Sequence, residues 1–406
     1  MKILMLCDFF NESLEYQENL LVKYYRKHGH EVTVVASTFD SVFDYYNDRH
    51  DPAWPARTYF DQGAKIVKLR YRYNLLNRLR AYTRIDRLLE DEAPDLIYVH
   101  DIMLNLPECV AYVKSHPQCR MILDYHADYS NSGRNWLSLK LLHGVARKWF
   151  LDRARPHISR IFPIVPAGAL FLHEVYGVPH AEMEVLPLGA DVDLAREVRA
   201  TGAGKRLRAE MGFAPTDIVV FTGGKLAPAK RTELLLEAVR RLPNLPLKVV
   251  VVGDAAAADA DYKAQLLALA DGETVRFTGW LAREDIYRHL AMADLAVFPA
   301  SQSILWQQAI ACGLPLVCGD SGHQDISYLN LAENIVVLRD EQIGVHGIVQ
   351  ALQETAGSEA RMRRMREGAA RVASEHLDWN QLIERTLRFV QPSSAAVDRT
   401  SLKPSP

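Results

Sequence analysis

Short, strand-length apolar runs recur along this chain between amphipathic stretches, and the pattern plays through twice. Lys2–Cys7, Glu31–Ala36, Lys65–Leu69, Leu96–His100 and Met121–Tyr125 read as strands, with Ile161–Ile164 and Glu184–Leu186 closing the first series. A second series restarts with Ile218–Thr222, Leu247–Val252, Val275–Thr278, Leu295–Phe298, Leu314–Cys318 and Ile335–Val337. Alternating strands and helices predict parallel sheets covered by helices on both faces, one sheet per series. The 406 residues, 49% of them hydrophobic and 24% charged, suffice for two such domains. Asp191–Lys205, with its small residues and two glycines, reads as the linker between them. The tail 392–406 is polar, Pro- and Ser-rich and reads as disordered.

Composition narrows the function classes. A net charge of −2 argues against a general nucleic-acid binder. The five cysteines include no Cys-x-x-Cys pair and sit in or beside apolar runs, so they are expected to be reduced and buried in a cytoplasmic setting. The first apolar run, residues 3–7, is too short for a signal peptide, and no run approaches the 18 apolar residues of a membrane span.

Two segments of the second series carry chemistry. Val297–Asp320 reads as a strand, a polar turn, a helix over about Ile304–Cys312, a stop at Gly313 and a further strand. Such a turn presents unpaired backbone N–H groups at a helix start, which suits a diphosphate. Gln308 lies one turn into that helix, where an amide can hold two adjacent ribose hydroxyls. Ile218–Val239 runs from a strand through Gly223 and Gly224 to Lys225 and Lys230, then into an amphipathic helix. The glycines permit close backbone approach, and the lysines can converge on a pyrophosphate as point charges. Each segment alone is equally compatible with a solvated turn; together, at the carboxyl ends of strands in one α/β half, they point to a nucleoside diphosphate.

At these residues the chain resembles a known family. GGKLAPAKRTELLLEAV is similar to the donor loop of family 4 glycosyltransferases, and WQQAIACGLPLV to their nucleotide-sugar element. MKILMLCDFF, KHGHEVTVVAS, VLPLGADVD and VRFTGWLAREDI resemble further family segments in the same order, from Met1 to about Val390. The resemblance implies a GT-B fold: two Rossmann-like domains facing each other across a cleft, with a C-terminal helix returning to the N-terminal domain. On that reading residues 1–190 bind the acceptor, 191–375 bind the donor, and 376–391 form the returning helix. It implies retaining, metal-independent transfer from a nucleotide sugar, which is a substrate, with no cofactor. Trp280 and Leu281 match the base-binding loop, and Ser301, Gln302, Ser303, Ile304 and Leu305 the phosphate turn. His126, in DYHADYSNS, matches a histidine facing the transferred sugar; a loop histidine satisfying its own backbone is the bland alternative. Asn11, Asp128 and Asn131 are expected on the acceptor or sugar side.

The chain departs from the family pattern. Where two glutamates are common it has Ala300 and Gln308, the turn is about three residues shorter, and Asn11–Gln17 lacks a glycine pair. A neutral amide forgoes the charge-assisted bond of a carboxylate. Other motifs are discounted. Gly202–Lys205 follows no strand and lacks the spacing of a phosphate loop. Asp191-Val192-Asp193 suits a helix cap better than a metal. Asp124, His126 and Asp128 alternate along one strand end without a second cluster to complete a metal shell. His100 ends the preceding strand and reads as structural or cleft-lining.

The first half has its own signal. Lys65–Arg87 holds eight Lys or Arg against one acid, interleaved with Tyr and Leu, and Arg134–Arg160 mixes Trp, Leu and Phe with basic residues. Such segments suit an anionic membrane surface, and equally a pair of amphipathic helices packed on the domain with solvated arginines. The expectation is thus a cytoplasmic enzyme, peripheral on the inner face of the membrane, moving a sugar to a glycan or lipid-linked acceptor in surface polysaccharide assembly. A silent sugar-nucleotide-binding scaffold, motivated by the missing glutamates, and a sugar-nucleotide epimerase are the alternatives.

Overall fold

The computed structural model describes residues 1–13, 16–39, 55–75, 77–132, 135–300, 302–320 and 326–390. The chain divides into two compact units: Met1–Leu186 with the segment from Leu382 onward, and Pro187–Gln381.

The first unit is built on β1 (Lys2–Leu6), β2 (Glu31–Ser37), β3 (Arg57–Asp61), β4 (Ala64–Leu69), β5 (Tyr71–Leu75), β6 (Leu79–Tyr82), β7 (Leu96–His100), β8 (Arg120–Tyr125) and β9 (Arg160–Pro163). Seven of these form one sheet in the order β3-β4-β2-β1-β7-β8-β9. All its pairs are parallel except the edge strand β3, which lies antiparallel to β4. Without β3 the strands run third, second, first, fourth, fifth, sixth, so the connections reverse direction between β1 and β7. Ligands bind at the carboxyl edge of such a reversal point. Helix α1 (Gln17–Lys27) follows β1 and carries buried Leu20, Leu21, Tyr24 and Tyr25. The Tyr25 hydroxyl lies 2.5 Å from the Thr386 hydroxyl, and Arg385 Nε donates to Glu184 at 2.8 Å. These contacts hold the end of the C-terminal helix, Trp379–Leu387, in the first unit.

The second unit holds β10 (Ile218–Gly223), β11 (Leu247–Val252), β12 (Val275–Gly279), β13 (Leu295–Phe298), β14 (Leu316–Asp320) and β15 (Ile335–Arg339), paired β12-β11-β10-β13-β14-β15. The same order recurs, with its reversal between β10 and β13. Alternate residues enter separate cores: Val219, Phe221, Val250 and Val252 on one face, Val220, Val249 and Val251 on the other. Burial on both faces explains why β11 reads as an unbroken valine run rather than an alternation.

Four expectations need correction. The basic segment is not helical at its centre, because β5 and β6 form an antiparallel hairpin. Glu184–Leu186 is no strand; Met183 makes a single bridge to Ile161, and only Glu184 and Leu186 donate to strand β9. The supposed linker is ordered helix: α2 (Val192–Ala200) is capped by Asp191, whose Oδ1 accepts from Leu194 N at 3.1 Å. A helix Ala203–Glu210 follows, and a Cβ on Gly204 would lie 2.5 Å from the Ala291 carbonyl, so that glycine serves close helix packing. β14 starts two residues late because Gly313 and Leu314 close the preceding helix by donating to Ile310 and Ala309.

Candidate functional site

In the second unit the donor-side residues gather at the carboxyl edge of the sheet. Gly223 ends β10 and Gly224 follows it, Trp280 and Leu281 follow β12, and residues 299–300 and 302–304 follow β13, so two of the three loops flank the reversal point. The glycines have a packing reason of their own. A Cβ on Gly223 would stand 2.5 Å from the Val252 carbonyl, and one on Gly253 2.0 Å from that of Gly224. Gly224 (φ +112°) and Gly253 (φ +117°) also occupy backbone conformations that L side chains rarely adopt.

The two lysines differ. Lys225 is exposed and faces Asp259 at 3.6 Å. Lys230 reaches across to the other loop and donates to the Gln302 carbonyl at 2.5 Å. Burial pushes its pKa down to about 8. Among the described residues it meets no carboxylate within ion-pair distance, so it is a partly desolvated cation without a neutralising anion. Trp280 is 63% exposed at the end of β12, an aromatic face open to solvent. Helix α3 (Leu305–Ala311) has only seven residues, and its start is set by Ser303 Oγ accepting from Leu305 N at 3.4 Å. So short a helix gives its N-terminus little weight, and the charge on this edge rests with the lysines. Gln308 is buried at 4% exposure on α3, Ile304 lies at the surface, and Ala300 is buried. Ser301 falls outside the described residues.

In the first unit His126 follows β8 at the carboxyl edge of the sheet, one strand beyond the reversal point, its side chain 27% exposed. Its Nε2 lies 3.4 Å from Asp124 Oδ2. His100, which the sheet register sets beside Asp124, has Nδ1 3.0 Å from the same oxygen and Nε2 3.1 Å from Glu18 Oε1. Tyr98 donates to that oxygen as well, at 3.0 Å. Burial opposes a charge on His100, but Asp124 and Glu18 outweigh it and hold its pKa well above the ordinary imidazole range. Burial likewise opposes charge on Asp124, yet the two histidines keep its carboxyl far below the usual carboxylate range. The donor atoms of His100, Asp124 and His126 lie within 4.8 Å of one another. Both His100 nitrogens face carboxylates, so the trio forms a charge cluster with no imidazole lone pair to offer from His100. Its one hydrogen bond joins His100 Nδ1 to Asp124, and His126 Nε2 is buried outside hydrogen-bonding alignment with that carboxylate.

Asp128 stands apart from this cluster, against the expectation that it shares a face with Asp124 and His126. Its Oδ1 accepts from Ser130 N at 2.7 Å and from Asn131 N at 3.1 Å, and Asn131 Nδ2 donates to the His126 carbonyl at 2.9 Å. Both side chains brace the loop that carries His126. Asn11 does the same locally, its Oδ1 accepting from Ser13 N at 2.8 Å. Sequence reasoning missed Glu18 and Tyr98 because neither strand neighbours nor the helix facing them can be read from one chain.

The basic segments are partly structural. Lys68 is buried and donates to the Phe10 carbonyl, Arg80 pairs with Asp8, Lys65 with Glu92 at 2.5 Å, and Arg147 lies 3.7 Å from Asp101. Arg70, Arg72 and Arg78 remain at the surface, and Arg134 is outside the described residues. Beside them, Tyr73, Leu75, Trp136, Leu137, Leu141, Val145 and Trp149 are all exposed. A groove of about 450 Å³ lies among Leu75, Arg78, Leu79, Asn135, Leu137 and Leu141. Among the described residues no helix is long and apolar enough to cross a membrane.

The comparisons with known proteins match both units. Residues 19–189 match the family model described as glycosyl transferase 4-like domain, and residues 216–354 match glycosyl transferases group 1. A D-inositol 3-phosphate glycosyltransferase of Rhodococcus erythropolis is 29% identical over 177 residues, 41% of this chain and 39% of that protein. A GDP-mannose-dependent monoacylated alpha-(1-6)-phosphatidylinositol monomannoside mannosyltransferase of Corynebacterium glutamicum is 31% identical over 160 residues, 35% of this chain and 40% of that one. The chain spans about two-fifths to one half of the length of the curated relatives it matches. The crystal structure of Anabaena HepE in complex with UDP superposes with a TM-score of 0.67 at 18% identity, covering 96% of this chain and 100% of that one. WaaG, a glycosyltransferase involved in lipopolysaccharide biosynthesis, gives 0.61 at 14% identity over 96% and 99%. With a matching domain in each half and the strand order of a doubly wound sheet in both units, the chain belongs to the family 4 glycosyltransferases of the GT-B fold.

Proposed function

We propose that this protein transfers a sugar from a nucleotide diphosphate sugar to a glycan or lipid-linked acceptor, with retention of anomeric configuration and no step routed through a metal or cofactor. The observation that carries the reading is Lys230, a partly desolvated cation tied across the reversal point to the Gln302 carbonyl, with no carboxylate partner among the described residues. Breaking the bond from the anomeric carbon to the diphosphate leaves an oxocarbenium-like sugar and a growing negative charge on phosphate. A fixed cation aimed at that charge stabilises the transition state more than the ground state. Lys225 adds a second, more exposed charge. Trp280 stacks on the base, Gln308 bonds the ribose hydroxyls, and His126 contacts a hydroxyl of the transferred sugar.

The donor reading is supported by HepE, whose crystals hold UDP-glucose, and by the GDP-mannose-dependent relative; these two name different bases. The acceptor reading draws on the exposed apolar and basic patch of the first unit, which suits the inner membrane surface and an amphiphile with an anionic headgroup. Assembly of a bacterial surface polysaccharide or glycoconjugate is the setting that fits. A second reading, a sugar-nucleotide-binding protein without turnover, is favoured by one observation: Ala300 and Gln308 stand where the family often carries glutamates. Thermal shift against a panel of UDP-, GDP- and ADP-sugars tests the donor assignment. A ligand at one hundred times its Kd stabilises the native state by about 2.7 kcal/mol. A shift with one base, reduced only modestly in Lys230→Ala because the lysine acts mainly in the transition state, is expected, and no shift with any sugar nucleotide refutes the assignment.

A further inference from the structure

Four ionisable side chains from three elements form a continuous chain at the carboxyl edge of the first sheet: Glu18 on α1, His100 at the end of β7, Asp124 in β8 and His126 just beyond it. Asp124 is fully buried, and each of its oxygens has a donor. Oδ2 takes Tyr98 Oη and His100 Nδ1 at 3.0 Å, and Oδ1 takes Asp101 N at 3.3 Å. Asp101 accepts a left-handed backbone (φ +65°) in making that contact, and its carboxylate is balanced by Arg147. Strain of this kind persists where the surroundings over-determine it. The His100 and His126 rings lie against each other with centres 4.1 Å apart and planes tilted by 46°. The His126 backbone is pinned by Asn131.

We propose that Asp124 and His100 are positioning residues for His126. The Asp124 carboxylate, 3.4 Å from Nε2 though out of hydrogen-bonding alignment, selects electrostatically the ring face and tautomer turned toward it. His100, clamped as an imidazolium between Asp124 and Glu18 and packed on the His126 ring, fixes that carboxylate and offsets its charge. An imidazole whose two nitrogens each face a carboxylate carries a proton on both, since either lone pair would meet an oxygen lone pair. Asp124 then faces a resident cation on one side and His126 on the other. An Nε2–H facing Asp124 leaves Nδ1 of His126 as the lone pair, a hydrogen-bond acceptor for a hydroxyl. The other ionisable groups acting on the cluster include Asp101, Tyr98, Tyr25 and Cys7, with Asp8 and Lys68 acting on Cys7 and Arg147 on Asp101. The consequence for turnover rests on the transferase reading; the protonation and tautomer do not.

The test is nitrogen-15 histidine NMR on the full chain without ligand, with turnover of a nucleotide sugar measured separately. At pH 8 both nitrogens of His100 should carry protons, and the fraction of His126 that carries one proton should be the single Nε2–H tautomer. One equivalent of zinc should leave both His100 protons in place. Asp124→Asn should let His126 populate both tautomers and lower kcat by about 10- to 100-fold with KM changed less than about twofold, the scale set by misplacing a group near the chemistry. If that variant fails to fold, Glu18→Gln removes the outer carboxylate instead, and His100 should then lose one proton on titration toward pH 8. A singly protonated His100 in the parent protein at pH 8, its displacement by zinc, or an unchanged His100 in Glu18→Gln would each overturn the proposal. So would an unchanged His126 tautomer in a folded Asp124→Asn protein. The NMR decides the positioning by itself, and absence of turnover in the parent protein counts against the transferase reading alone.

Discussion

Lys230→Ala removes the cation on which the proposed donor site rests. Its one hydrogen bond in the described structure goes to the Gln302 carbonyl, on an exposed loop where water can replace the lost donor. The stability loss should therefore stay near the ordinary value of one hydrogen bond, about 0.5–1.5 kcal/mol. The effect on rate should be larger, because the additional negative charge on the leaving phosphate develops only as the bond breaks. Removing a preorganised donor of this kind costs about 2–4 kcal/mol of barrier, or roughly 30- to 1,000-fold in kcat. The pH dependence follows with a definite sign. Burial lowers the Lys230 pKa to about 8, so the cation is present below that pH and is lost above it. Donor turnover should fall as pH rises through 8 in the free enzyme, with about nine-tenths of the lysine neutral one unit higher. A bound diphosphate favours the cation, so the limb in kcat should lie at higher pH than the limb in kcat/KM. Lys230→Arg keeps a charge at every working pH and should abolish the limb while retaining part of the rate. The assay is initial-rate release of nucleoside diphosphate from pH 6.5 to 9.5, with donor Kd measured by calorimetry. A folded Lys230→Ala protein with near-parent kcat, or a limb that survives in Lys230→Arg, would refute the reasoning.

The remaining expectations use other parts of the structure. Gln308→Ala should weaken the donor sugar and the free nucleoside diphosphate equally by calorimetry, and Gln308→Glu should be tolerated; loss confined to the intact donor would place Gln308 at the sugar instead. Arg70, Arg72 and Arg78 changed together to Ser should reduce binding to anionic liposomes by about 3 kcal/mol at low salt, at roughly 1 kcal/mol per charge, with donor hydrolysis unchanged. Arg80 is left intact in that variant because it pairs with Asp8, and equal cosedimentation of parent and variant would remove the membrane reading. His100→Gln should destabilise the protein by about 3 kcal/mol near pH 6, the scale of breaking a buried ion pair. Because the folded pKa of His100 is raised, its contribution is complete below the ordinary value of 6.5 and declines as pH climbs toward about 10. The gap between parent and variant in denaturant melts should narrow over that range, and a constant gap contradicts the charged assignment.

The alternation of apolar runs and amphipathic stretches was enough to place most strands of both sheets within two residues, because buried parallel strands leave a local hydrophobic mark. The β5–β6 hairpin left none. Its alternation of Tyr, Arg and Leu is shared by an amphipathic helix, and its cohesion comes from afar: Arg80 and the Tyr71 hydroxyl both reach Asp8 at the end of β1. Asp191–Lys205 looked like a linker because its small residues permit close helix packing, a property with no periodic signal. The donor loops were legible as motifs, though the reasons for their residues were not. Gly223 and Gly253 answer to neighbouring carbonyls as much as to any ligand. His126 could be singled out from its motif, whereas Tyr98 and His100 meet Asp124 only through strand order and register, and Glu18 reaches His100 only because helix α1 packs beside that strand. Asp128 and Asn131 read as acceptor- or sugar-side residues from their loop; that they also brace the His126 backbone has no mark in the sequence.

The central claim is that a nucleotide sugar is activated on the second unit by Lys230. The most direct measurement is the release of nucleoside diphosphate from UDP-, GDP- and ADP-sugars by the parent protein and by Lys230→Ala, with no acceptor added. Slow hydrolysis of donors carrying one base, reduced at least about 30-fold in the variant, is the predicted result. Tight binding of a nucleotide sugar with no release from any of them, in parent and variant alike, would contradict it and leave a binding protein in place of a transferase.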